Sequence, residues 1–181
     1  ITPEPSSMTG NGDAFPSPSW EADQDLNSAM QNSVNWYFQA IDSQLGINRV
    51  QEFLNKIEYG NQTTSSNLDL YWSDFSLKIS PLEQVTLLKK FNTNEFHLNF
   101  QNVFSVKNAI KIASTPNGNF YGKTGTGRVN GQDINGWFIG YVETSDNSYY
   151  FATNIQSDSN ATGKKAFEIT SDILKKLHIW N

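Results

Sequence analysis

The first half of the chain places its apolar residues three or four positions apart, which is the spacing of amphipathic helices. Over residues 23–45 this spacing predicts two helices with a junction near Asn32-Ser33. A third helix is predicted over residues 48–57, with Asn48 as its cap and an end before Tyr59-Gly60-Asn61. The chain is therefore expected to begin with a helical region.

A capping box predicts the start of the next helix. Ser80-Pro81-Leu82-Glu83 combines a capping serine, a proline at the first helical position and a glutamate three residues after the cap. A further helix is predicted over residues 99–113, and an ordered loop over residues 61–76. Residues 1–20 hold four of the six prolines and are predicted to form an irregular connector.

In the second half the pattern changes to aromatic and β-branched residues separated by short turn sequences. Residues 118–127, 134–144 and 147–155 are predicted to form three strands of an antiparallel meander, with a hairpin turn at Asp146-Asn147. Residues 162–177 return to helical spacing and end in lysines, which suits a terminal amphipathic helix. Helices followed by strands and a last helix indicate an α+β fold.

Composition narrows the functions that this chain can have. Its 181 residues, with 37% hydrophobic content, suit one domain spanning residues 1–181. A net charge of −5 argues against a nucleic-acid partner. No apolar run approaches the roughly 20 residues of a membrane span, so direct membrane insertion by this segment is not expected. With no cysteine and two distant histidines, His97 and His178, no metal site is predicted.

One short run carries candidate chemistry: Tyr121-Gly122-Lys123-Thr124-Gly125-Thr126-Gly127, between β-type segments. On a strand Thr124 and Thr126 point to one face, and together with Lys123 they are able to bind a carboxylate. The glycines allow a ligand to approach the backbone closely. Lys-Thr-Gly also belongs to the signature of penicillin-recognising serine enzymes, which has further parts elsewhere in the chain.

Three further motifs precede Lys123-Thr124-Gly125: Ser33-Val34-Asn35, Tyr59-Gly60-Asn61 and Trp72. Their order and approximate spacing resemble the class D β-lactamase superfamily, and especially the extracellular penicillin-sensing domain of BlaR/MecR-type receptors of Gram-positive bacteria. The resemblance covers nearly the whole chain. It implies a fold like that of penicillin-binding proteins and class D β-lactamases, with a helical region beside an antiparallel sheet.

The resemblance also implies roles for the residues of these motifs. Ser33 corresponds to a proton relay, and Lys123 keeps the site electropositive. Thr124 and Thr126 bind the carboxylate of a β-lactam, and the Thr126 N–H supplies half of an oxyanion hole on the strand that contains Gly125.

The first motif of that family, Ser-x-x-Lys, does not occur in these 181 residues. In the family this motif supplies the nucleophilic serine and a base lysine that is carboxylated by CO2. The resemblance implies that Trp72 lines the pocket of that lysine, and it implies no other cofactor. The motif lies upstream of the part that resembles residues 1–20, so the chain is expected to lack the opening strands and the nucleophile helix. Two explanations stay open: a nucleophile on another piece, or a catalytically silent form.

Asn35 favours a receptor over a hydrolase, because class D hydrolases usually have an apolar residue there. An amide beside the base lysine competes with its carbamate, so the acyl adduct is expected to persist. The resemblance thus implies a β-lactam sensor at the extracellular face of the membrane, acylated at a serine outside this chain, within a larger membrane receptor. The alternatives are a class D β-lactamase and a nucleophile-free remnant that binds peptidoglycan or a protein partner.

Each of these residues also has an ordinary structural explanation. Taken alone, Ser33 suits a helix cap, Asn35 a solvated helix position and Lys123 a solvated strand edge. Trp72 alone suits a core or loop anchor. The joint order of the four motifs is what favours function.

Overall fold

The computed structural model describes residues 18–64, 68, 71–73 and 75–180. Most of the predicted connector, residues 1–17, lies outside this part of the chain, and Pro18–Trp20 form one turn of 3-10 helix. Parts of the loop predicted over residues 61–76 also lie outside it. None of the described helices is long and apolar enough to cross a bilayer.

The helical region comes first, as its apolar spacing predicts. Its helices are α1 (Leu26–Asn32), α2 (Asn35–Leu45), α3 (Ile47–Lys56), α4 (Pro81–Asn92) and α5 (Phe100–Ala109). The predicted junction near Asn32-Ser33 is confirmed, because α1 ends and α2 begins on either side of Ser33. Asp25 caps α1 by accepting the Ser28 N–H at 2.8 Å.

The start of α3 differs from the prediction. Gly46, and not Asn48, is the capping residue, and its φ of +79° lies in the region that favours glycine. Because Gly46 also ends α2, the chain passes directly from one helix to the next and Asn48 falls within the first turn of α3. The capping box of α4 is confirmed: Glu83 N–H donates to Ser80 Oγ, and Ser80 N–H donates to the Glu83 carboxylate at 2.8 Å.

The sheet has four strands in the described part of the chain, one more than predicted. They are β1 (Lys111–Thr115), β2 (Gly118–Val129), β3 (Gln132–Thr144) and β4 (Ser148–Gln156), antiparallel in that order, and α6 (Gly163–Lys176) follows. The helix predicted over residues 99–113 therefore ends at Ala109. Residues 111–115 are strand because they pair with the start of β2, which supplies the backbone partners that local spacing does not reveal.

Helix α6 packs on one face of the sheet. The buried cluster there contains Phe120, Phe138, Val142, Ala166 and Leu174. At Gly136 of β3 an added Cβ would lie 2.4 Å from the carbonyl oxygen of Thr162, so glycine lets the start of α6 approach the sheet. The sheet and α6 thus form one tightly packed unit.

Helices α4 and α5 pack on the opposite face. The rings of Tyr121 and Tyr141 stack there with centroids 4.7 Å apart, and Lys107 Nζ of α5 lies 5.7 Å from the centroid of the Tyr141 ring. Asn92 of α4 donates to the hydroxyl of Tyr150 at 2.8 Å. Side chains alternate along a strand, so Lys123, two residues after Tyr121, faces the helical region.

Candidate functional site

The Lys-Thr-Gly run lies in the part of β2 that extends beyond the end of its pairing with β1. Strand β1 pairs only with the first four residues of β2, and the Gly122 N–H then donates to the Ile110 carbonyl at 2.9 Å. Within the described chain, residues 123–127 pair with β3 alone. Successive N–H groups of a strand point in opposite directions, so those of Thr124 and Thr126 point, like that of Gly122, to the unpaired edge.

Lys123 connects this edge to the helical region. Its Nζ lies 2.6 Å from Ser33 Oγ and 2.7 Å from the carbonyl oxygen of Thr124. The fold therefore brings together two motifs that are 90 positions apart in sequence. Burial lowers the pKa of Lys123 below the usual lysine value, because the charged amine loses solvation. Lys123 is thus a better proton donor to its neighbours than an exposed lysine.

Ser33 is held in an unusual backbone conformation. Its φ of 53° and ψ of 48° are left-handed, which costs a residue other than glycine about 1–2 kcal/mol. The next residue, Val34, is fully buried, and its N–H donates to the Ala29 carbonyl at 2.9 Å. The buried neighbour fixes the backbone on which the Ser33 hydroxyl stands, so the hydroxyl is directed at Lys123 by the fold.

The two threonines of the run lie beside the start of α6. The Gly163 N–H donates to Thr126 Oγ1 at 2.9 Å, and a Cβ added to Gly163 would lie 2.9 Å from Thr124 Cβ. The prediction that both threonines share one face is therefore confirmed. Both are exposed, whereas Lys123 is half-buried on the other side of the strand edge.

Asn35 and Trp72 occupy separate places. Asn35 is the first residue of α2, two positions after Ser33, and is exposed. Trp72 is half-buried and packs against the cluster of Val50, Leu54 and Tyr71 beside α3. The structure thus brings Ser33, Lys123 and the threonines to one edge, places Asn35 near it in the chain, and gives Trp72 a core contact.

Two residues at this edge have no counterpart in the sequence analysis. Gly163 has just been described, and the other is Phe75, whose φ of 64° is left-handed. A Cβ added to Gly127 would lie 2.8 Å from Phe75 Cε1, so the ring covers the end of the Lys-Thr-Gly run. A glycine inside a strand signals such a close approach, but the sequence does not say which side chain makes it.

Comparison with known proteins identifies the family. The family model of the penicillin binding protein transpeptidase domain matches residues 3–175. This chain belongs to that family. The resemblance that the motifs carry is therefore confirmed.

Several relatives of this family member are known. It is 47% identical to regulatory protein BlaR1 of Bacillus licheniformis over 99% of this chain and 30% of that protein. It is 44% identical to the methicillin resistance mecR1 protein of Staphylococcus aureus strain Mu50 over 91% of this chain and 28% of that protein. The chain thus spans less than a third of the length of either relative.

Solved structures confirm the fold class. The C-terminal domain of the Bacillus licheniformis BlaR penicillin-receptor superposes with a TM-score of 0.93 at 46% identity, covering 98% of this chain and 72% of that one. A class D β-lactamase of Bacillus subtilis superposes at 0.89 with 36% identity, covering 97% and 71%. The receptor is thus more similar than this hydrolase, as Asn35 predicts.

Proposed function

We propose that this chain is most of a β-lactam sensor domain, which is acylated at a serine outside these 181 residues and then signals the induction of β-lactam resistance. The observation that carries the proposal is the 2.6 Å contact between Lys123 Nζ and Ser33 Oγ, beside the unpaired edge of β2. Similarity to BlaR1 and mecR1 proteins supports it. By this proposal the domain lies outside the cell as part of a membrane receptor.

In the proposed acylation, the serine gives its hydroxyl proton to the base lysine of the same outside segment, and its oxygen bonds to the β-lactam carbonyl carbon while the carbon–nitrogen bond of the ring breaks. The Thr126 N–H, which points to the unpaired edge, donates to the carbonyl oxygen as it becomes negative. The leaving nitrogen takes a proton from the Ser33 hydroxyl, and Lys123 replaces that proton through their 2.6 Å contact. The lowered pKa of Lys123 favours this transfer.

Recognition before acylation depends on charge and on hydroxyl groups. The Lys123 amine gives the groove a positive charge, and the exposed hydroxyls of Thr124 and Thr126 are placed to donate to the carboxylate of a β-lactam. Trp72 is proposed to wall the pocket of a base lysine carried by the same outside segment as the nucleophile.

Asn35 is proposed to keep the domain acylated. Its amide, at the start of α2 and two residues from Ser33, would compete with the carbamate of the base lysine and stop the second, hydrolytic step. A persistent adduct is what a sensor requires, since rapid hydrolysis would erase the signal.

The natural protein that contains this chain tests the proposal. Intact mass spectrometry after incubation with benzylpenicillin is expected to show one persistent adduct, and Asn35→Val is expected to shorten its lifetime. Asn48→Val is the matched control, because Asn48 is an exposed asparagine in the first turn of α3. Sustained nitrocefin turnover by the unaltered protein would instead support a class D β-lactamase.

The 181-residue chain alone provides a second test. With no Ser-x-x-Lys motif, it is expected to form no covalent adduct. An adduct on Ser33, located by peptide mapping, would show that this serine is the nucleophile and would overturn the relay role.

A further inference from the structure

Gly163, the first residue of α6, contacts the Lys-Thr-Gly strand through its backbone. Its N–H donates to Thr126 Oγ1 at 2.9 Å. A Cβ added here would lie 2.6 Å from the carbonyl oxygen of Gly125 and 2.9 Å from the Gly125 nitrogen. Because both are backbone atoms of a paired strand, they have little freedom to move aside. Any larger residue at Gly163 would therefore displace the start of α6 from β2.

This contact decides how the Thr126 hydroxyl is oriented. A hydroxyl has one hydrogen to donate, and Thr126 Oγ1 is the acceptor in its bond with Gly163. Its own hydrogen is thus left for another acceptor, and Thr126 is exposed to one. Accepting a hydrogen bond also strengthens a hydroxyl as a donor, and the N-terminus of a helix adds positive partial charge.

The surrounding contacts hold Gly163 in this position. Thr162 caps α6 by accepting the Lys165 N–H at 3.2 Å, and the approach of Gly136 to the Thr162 carbonyl fixes the same turn against β3. The Gly163 N–H is one of the first helical N–H groups, which have no acceptor inside the helix. Its acceptor is Thr126 Oγ1, so strand and helix are joined at an exposed residue of the Lys-Thr-Gly run.

We propose that Gly163 is a positioning residue for anion recognition, which presents the Thr126 hydroxyl as a donor to the carboxylate of a β-lactam. The proposal rests on the proposed function, and it adds a residue whose role is exerted through Thr126. It requires glycine at position 163 for closeness of approach.

The test compares benzylpenicillin with its methyl ester, which lacks the carboxylate charge. Dissociation constants of both are measured by NMR titration of the ¹⁵N-labelled 181-residue chain. Gly163→Ala is expected to reduce the preference for the acid over the ester about tenfold, the size expected for a hydrogen bond to a charged group. Thr126→Val should reduce it equally, the double variant no further, and Thr126→Ser should retain it.

Two controls separate positioning from stability. Gly46→Ala is strained by its φ of +79° but lies between α2 and α3, and Asp172→Ala alters an exposed residue of α6. Neither should change the acid-over-ester preference. Amide hydrogen exchange at Gly163, measured without ligand, should become faster in Thr126→Val.

The outcomes are distinguishable. An unchanged preference in Gly163→Ala, or in Thr126→Val should the first variant fail to fold, overturns the role of Gly163 and leaves the proposed function in place. Equal affinity of the unaltered chain for acid and ester also overturns it. Failure of both compounds to bind the unaltered chain overturns this inference, whereas the proposed function fails only if the natural protein forms no persistent adduct with benzylpenicillin.

Discussion

Substitutions at Ser33 can separate the effect of backbone strain on stability from the effect of the hydroxyl on function. Its left-handed conformation, φ 53° and ψ 48°, is one that glycine adopts freely and alanine does not. Both Ser33→Gly and Ser33→Ala remove the hydroxyl that contacts Lys123 Nζ at 2.6 Å. The two variants therefore share the loss of the hydrogen bond and differ in strain.

The size of the difference follows from two opposing effects. Relief of the left-handed conformation favours glycine over alanine by about 1–2 kcal/mol. The greater freedom of glycine in the unfolded chain offsets about 0.4–1 kcal/mol of that. Ser33→Gly is therefore expected to be more stable than Ser33→Ala by about 1 kcal/mol, or about 2–4 °C in Tm for a domain of this size.

Urea denaturation of both variants measures this difference, provided that the m-values agree. The control is Ser105, an exposed residue inside α5, where Gly should be less stable than Ala by about 1 kcal/mol. Equal stability of the two Ser33 variants, or a less stable Ser33→Gly, would refute the strain argument. Equal loss of β-lactam response in both, despite unequal stability, would assign that loss to the hydroxyl.

Three further predictions concern the strand and its packing. Burial lowers the pKa of Lys123, so the folded state binds fewer protons than the unfolded state as the pH rises toward the usual lysine pKa. The unaltered protein should therefore gain stability relative to Lys123→Met over that pH range, and a constant difference between their urea midpoints would contradict this. Gly136→Ala should destabilise the fold by about 1–3 kcal/mol, because the new Cβ would clash with the Thr162 carbonyl. Gly125→Ala should be tolerated, since its Cβ would meet only Trp137 Cβ at 3.8 Å, and an equal drop in Tm for the two variants would contradict this packing. Phe138→Ala, at a side chain 1% exposed, should cost about 3–5 kcal/mol in chemical denaturation, and a loss below about 1 kcal/mol would count against the cluster.

Local signals in the sequence predicted most of the helical region and three of the strands. The capping box at Ser80 acts within four residues, so its outcome depends little on the rest of the fold. The turn at Asp146-Asn147 is similarly local, and β3 and β4 form the predicted hairpin around it. The helix predicted over residues 99–113 is wrong at residues 111–113, because their strand structure depends on pairing with β2, a contact that apolar spacing does not contain.

The sequence predicted which residues form the candidate site better than it predicted how they are arranged. Motif order named Ser33 and Lys123, but the 2.6 Å contact between them depends on how the helical region packs on the sheet. Gly163 and Phe75 escaped notice for a different reason. Gly163 matters because it lies against the backbone of Gly125, and Phe75 because its ring lies where Gly127 has no side chain. Neither partner can be identified from a residue type alone.

Among the described residues, the edge of β2 at residues 123–127 has no partner strand, and its own side chains limit pairing with another chain. An open strand edge presents N–H and carbonyl groups to any other strand. Here the Lys123 amine occupies the Thr124 carbonyl at 2.7 Å and brings a charge to the edge, which disfavours a second strand. The Thr126 N–H points to the same edge, where the proposed function assigns it to the carbonyl oxygen of a β-lactam. A lysine that folds back on its own strand thus disfavours pairing with a second strand, and under the proposed function it leaves this edge to a charged ligand. The 2.6 Å contact with Ser33 Oγ holds that lysine in place.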